Sequence, residues 1–148
     1  MKTRALLFLL IGWFWGSYAA GDGEVLRLDV ASVLRAREPA WVLERREAAG
    51  KATVTYHLQQ GKQKLVVAVF SAATEQDAIA HMDLLVLGIT AAGVPLPGLG
   101  DYSLQWISPK SGVSTVILRR GATVVHLVAP SAELAEKVAK DLDKALSH

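Results

Sequence analysis

The chain has 148 residues, with 16 Lys and Arg against 14 Asp and Glu, and no cysteine. The missing cysteine excludes thiol catalysis, iron–sulfur clusters and cysteine zinc sites. A net charge of +2 would suggest nucleic acid or an anionic membrane as partner, but the excess comes from Lys2 and Arg4 at the amino terminus.

Those two cations open a secretory leader. An almost unbroken apolar run over residues 5–15 follows them, and Ser17 and Ala19 put small residues at the −3 and −1 positions of a cleavage site before Ala20. The apolar span 5–20 is 16 residues, short of the roughly 20 a membrane helix needs. Cleavage after Ala19 is therefore expected, with retention as a membrane tether as the alternative. Removing residues 1–19 leaves 129 residues, with 14 cations and 14 anions. Neither nucleic acid nor stable membrane insertion is then an expected association. Residues 20–148 are enough for one domain with its own core and no disulfides. Such a leader on a cysteine-free chain fits a bacterial periplasmic or secreted protein.

A short helix is expected over 28–37, capped by Asp29, with Val30, Val33 and Leu34 on one face and Pro39 as its stop. Strands follow at 41–48, 52–58 and 64–70. In the second, Val54, Tyr56 and Leu58 alternate with Thr53, Thr55 and His57. The third reads Lys-Leu-Val-Val-Ala-Val-Phe, apolar on both faces, which places it centrally in a sheet. A helix is expected from Thr74 to about residue 89, with Ile79, Met82, Val86 and Ile89 on one stripe. After a Gly- and Pro-rich link at 93–100, strands are expected at 102–107, 113–119 and 122–129. A last helix begins at its cap, Ser131, with Leu134, Val138 and Leu142 on one face. The two halves, 41–89 and 102–146, thus share a strand-strand-strand-helix plan. The expected fold is α+β: a two-layer sandwich with a mainly antiparallel six-stranded sheet and its helices on one face.

The link Gly93-Val-Pro-Leu-Pro-Gly-Leu-Gly-Asp-Tyr102 is not a phosphate loop. Such a loop leaves a strand and opens a helix, whereas here a helix precedes and a strand follows. Pro95 and Pro97 also remove amide donors. The link reads as a structural crossover, with Pro97, Gly98, Gly100 and Asp101 at the edge of the sheet. The order Pro97 to Asp101, an aromatic strand, Arg119-Arg120-Gly121 at a hairpin tip and a closing helix from Ser131 resembles small exported bacterial domains with a PsbP/Mog1-type α+β fold, found as lipoprotein or sensor modules. That resemblance implies a non-catalytic extracytoplasmic role and brings no active site. The lipid-bearing cysteine of the lipoprotein members is absent here.

Pairing about Gln60 and Gly61 sets His57 opposite Lys64 and Tyr56 opposite Leu65. Pairing about Arg120 and Gly121 sets His126 opposite Thr115. Glu44, Arg46, Thr55, His57, Arg119 and His126 could then share one helix-free sheet face, the candidate binding face. The sequence carries no His-x-His or His-x-x-x-His spacing for a metal, no Gly-x-Ser-x-Gly and no Ser-x-x-Lys. His81 and Asp77, four apart on a helix, read as solvated surface, and Trp41 and Trp106 as core or sheet-edge residues. No register brings Asp101, Ser103 and His126 together as a triad. No cofactor or metal is expected. The expectation is a binding module of the cell envelope whose partner is a protein or small ligand. The alternative is a small hydrolase whose site forms only in three dimensions.

Overall fold

The computed structural model describes residues 28–89 and 92–148, so the leader and its cleavage site lie outside the described residues. Among the described residues three helices form where capping residues were expected. Asp29 accepts the Ser32 N–H at 3.3 Å to open α1 (Val30–Arg37). Thr74 accepts from Asp77 at 3.1 Å to open α2 (Glu75–Leu87), and Ser131 accepts from Leu134 at 3.2 Å to open α3 (Ala132–Leu146). Each cap satisfies one of the N–H groups that a helix leaves without an internal partner. None of these helices is long and apolar enough to cross a membrane.

The strands are β1 (Val42–Ala49), β2 (Thr53–Gln60), β3 (Gln63–Ser71), β4 (Val94–Pro95), β5 (Tyr102–Ile107), β6 (Ser114–Arg120) and β7 (Thr123–Ala129). They form one antiparallel sheet in the order β1-β2-β3-β7-β6-β5-β4. The seventh strand was not expected: two residues of the link, Val94 and Pro95, pair with Gln105 and Leu104 and extend the edge. The two halves meet where β3 pairs with β7 at the centre.

Helices cover both faces of the sheet, not one as expected. On the first face, Val30 and Leu34 of α1 and Val138 and Leu142 of α3 pack with Tyr56, Leu65, Val67 and Leu127. On the second, Ala78 and Met82 of α2 pack with Phe70, Leu104, Trp106, Ile117 and Val124. The cause lies in the central strands. Successive side chains of a strand point to opposite faces, and β3 is apolar at both parities. Leu65, Val67 and Val69 need one cover, and Phe70 needs another. Trp41 and Trp106 are buried, Trp41 under the first face's helices and Trp106 under α2.

Hairpin registers differ from expectation by two residues. His57 faces Val66 and Tyr56 faces Val67, because the first turn is Gly61-Lys62; His126 faces Ile117, because the second is Gly121-Ala122. An even slip keeps every side chain on its expected face. Leu142, fully buried between α3 and the sheet, tests the larger core. Leu142→Ala should lower the unfolding free energy by about 3 kcal/mol, measured by urea titration.

Candidate functional site

α2 covers only the β5–β6 end and centre of the second face. The remainder, over β1, β2 and the start of β3, is covered by no described element. Its side chains are set by a bulge: the β1–β2 register shifts between Leu43 and Arg45, so Arg45 faces His57 and Glu47 faces Thr55. A bulge adds one residue and reverses the facing of everything beyond it. Arg45 and Glu47 therefore occupy the places expected for Glu44 and Arg46. Glu44 sits at the bulge itself. Arg46 lies on the opposite face, its guanidinium 5.8 Å from the centre of the Tyr56 ring, a cation–π contact. Thr55 and His57 are where the sequence placed them.

Arg45, Glu47 and His57 form a cluster. Arg45 Nε stands 3.2 Å from Glu47 Oε1, and His57 Nε2 lies 3.2 Å from Arg45 Nη2 and 3.3 Å from Glu47 Oε2. One ring nitrogen cannot accept and donate at once. With a lone pair on Nε2, His57 accepts from Arg45; with a proton there, it donates to Glu47. The cluster borders a cleft of about 420 Å³ lined by Glu44, Arg45, His57, Lys64 and Val66 together with Leu58 and Leu65. Val66 and its paired neighbour Val128, both half-buried, give the open face an apolar floor. A charged rim over an apolar floor suits recognition of a partner.

The other expected site residues are engaged elsewhere. Arg119 Nη1 contacts Glu75 Oε1 of α2 at 2.8 Å and Asp101 Oδ2 at 3.4 Å. Asp101 Oδ2 also accepts the Gly121 N–H at 2.6 Å, and the Asp101 N–H donates to the Arg119 carbonyl at 2.7 Å. Arg120, next in sequence, points to the opposite face and makes two bonds to Asp143 of α3, at 2.6 and 3.0 Å. The anions that Arg119 and Arg120 receive at the hairpin tip are thus the chain's own.

The link completes this arrangement. Pro97 and Gly98 are exposed, Leu99 is buried in the first core, and Gly100 donates its N–H to Asp143. Burial alone would raise the Asp143 carboxyl, but the bonds from Arg120 and Gly100 and the Arg120 charge outweigh it and hold the group below its ordinary value. The same hydrogen bond to Asp143 holds the Arg120 guanidinium above its ordinary value.

His126 and His81 sit together beneath α2, and His81 is a correction: it is buried, not surface. Its ring stacks on Phe70 at 3.9 Å between centroids and 20° between planes. The expected stripe of Ile79, Met82, Val86 and Ile89 left His81 out; Met82 is buried, Val86 and Ile89 pack beside the core, and the buried side is turned from Ile79 toward Ala78 and His81. Ser103 bonds the Leu96 carbonyl on the first face, while His126 lies on the second, so no triad with Asp101 forms. Among the described residues no three His, Asp or Glu gather as a metal site.

No protein-family model, curated protein or solved structure matches the chain.

Two outcomes follow from the link. Gly100 has φ +62°, and a Cβ there would meet the Arg119 carbonyl oxygen at 2.6 Å, whereas Gly98, at φ +77°, has open space around it. Gly100→Ala should cost about 3 kcal/mol and Gly98→Ala about 1 kcal/mol, compared by urea denaturation. Asp143 is ionised more readily in the folded chain, so its contribution is present above the unfolded carboxyl value and lost as pH falls through the folded one. Asp143→Asn should cost about 2 kcal/mol at neutral pH and flatten the acid limb of stability against pH, measured as urea midpoints down to about pH 3.

Proposed function

We propose that the protein is an exported, non-catalytic binding module of the bacterial cell envelope, and that its partner, an envelope protein or small ligand, docks on the open half of the second sheet face. The observation that carries this reading is the cleft between β1 and β3. Arg45, Glu47, His57 and Lys64 stand around Val66 there, on a sheet surface that no described helix covers. The leader-like amino terminus, the balanced charge of residues 20–148 and the resemblance to PsbP/Mog1-type exported modules support the same reading. Of the face expected from sequence, Thr55 and His57 remain in it, Arg45 and Glu47 replace Arg46 and Glu44, and Arg119 and His126 serve the fold.

Exchanging Arg45, His57 and Lys64 together for alanine removes the rim without touching either core. With the fold checked by circular dichroism, recovery of the partner from an envelope fraction should fall about tenfold or more. The single variant Arg46→Ala, on the other face, should leave recovery unchanged. Equal recovery by the triple variant and the parent chain would contradict the proposed face.

A further inference from the structure

The hairpin tip borders a second cleft, at the end of the first sheet face where α3 terminates. Register sets one of its walls. Ser71 of β3 pairs with Thr123 of β7, and Thr123 pairs with Arg120 of β6. Strand alternation puts Ser71 on the side of Val69 and Thr123 on the side of Val125, both buried in the first core. Arg120 reaches Asp143 of α3 on that same face. Three polar side chains thus stand in one row across three strands, with neighbouring Cβ atoms about 5 Å apart. The last turn of α3, at Ala145 and Leu146, also lines the cleft, as do Ala72 and Ala122, which are joined by a backbone hydrogen bond of 2.8 Å. Its volume is about 460 Å³, within the range of small-molecule sites.

The fold leaves both donors and acceptors here unused. The half-buried Ser71 and Thr123 hydroxyls have no hydrogen-bond partner among the described residues. No buried side-chain polar atom lacks a partner, so both hydroxyls are reached by solvent, and each can donate and accept. Arg120 gives Asp143 its Nε and Nη2, which leaves Nη1 outside that fork. The Ala145 and Leu146 carbonyls accept no described hydrogen bond, because the Ser147 N–H that closes α3 goes to Asp143 and Lys144.

Charge narrows what such a cleft takes. Arg120 is matched by Asp143, with Asp101 nearby, and the carboxyl end of α3 carries a partial negative charge, so an added anion gains little. An added cation meets the guanidinium. A hydrocarbon would strip water from the hydroxyls and give nothing back. An uncharged molecule with several hydroxyls avoids all three penalties: it can accept from Arg120, donate to the helix carbonyls, and do both with Ser71 and Thr123.

We propose that this cleft is a second binding site, for a small neutral sugar. It lies on the first face, away from the cleft between β1 and β3, and does not depend on the binding role proposed above.

Amide chemical-shift titration of the full chain at neutral pH tests it, with glucose, acetate and methylammonium as separate probes. Glucose should give saturable shifts at 71–73, 121–123 and 145–146 with a Kd on the order of 1 mM, and acetate and methylammonium should bind at least about tenfold more weakly. The amides of His57 and Lys64 should not move. Combining Ser71→Ala with Thr123→Val keeps the Arg120–Asp143 pair and should weaken glucose binding about tenfold or more, whereas Thr123→Ser should leave it within about twofold. If the double variant does not fold, Thr123→Val alone should weaken binding about threefold or more. No saturable shift up to about 50 mM glucose overturns the proposal. So does binding of either charged probe as tight as that of glucose, or an unchanged affinity once the hydroxyls are removed.

Discussion

Two consecutive arginines join the layers of this molecule. Adjacent residues on a strand point to opposite faces, so Arg119 reaches Glu75 of α2 on one side and Arg120 reaches Asp143 of α3 on the other. The link before β5 fastens the same point from outside the hairpin. Leu99 enters the first core, Gly100 donates to Asp143, and Asp101 holds the Gly121 N–H and the Arg119 guanidinium. Each of these bonds has a charged partner, the kind that contributes more than a neutral one. A slip of one residue in the β6–β7 hairpin would send each arginine to the wrong face, so both helical layers depend on that register.

This fastening makes the sheet asymmetric. Near the hairpin tip the second face is covered by α2 and tied down by Arg119. Toward β1 nothing described covers it, and Arg45, Glu47, His57 and Lys64 meet solvent over Val66. β1 is an edge strand exposed along nearly its whole length. Its bulge and alternating charges guard it against pairing with other strands. Those same charges form the rim of the cleft, so one short segment both protects the edge and carries the groups of the proposed binding face.

The parts legible in the sequence were those governed by local chemistry. Asp29, Thr74 and Ser131 marked three helix starts because a capping side chain acts within three residues. The period-two pattern of β2 marked its buried face. The apolar composition of β3 correctly placed it at the centre, and it also implied a cover on each face. What remained hidden depends on position in three dimensions. Glu44-Arg45-Arg46-Glu47 is charged at both parities, so the bulge that exchanges their faces leaves no trace in the pattern. Apolar and polar residues of α2 are interspersed around the helix, so His81 could not be distinguished from surface. Arg119 and Arg120 looked like an ordinary exposed turn because Glu75, Asp101 and Asp143 lie far away in sequence.

The fastening of the link and hairpin to both layers is the claim on which the rest stands, and native-state hydrogen exchange measures it directly. The amides of Gly100, Asp101 and Gly121 lie in a loop and a turn, where exchange ordinarily proceeds by local opening at little free-energy cost. Bound to Asp143, the Arg119 carbonyl and Asp101 respectively, they should exchange only with the global unfolding that releases β3 and β7. Exchange of these three amides at free-energy costs far below those of the central strands would contradict the account.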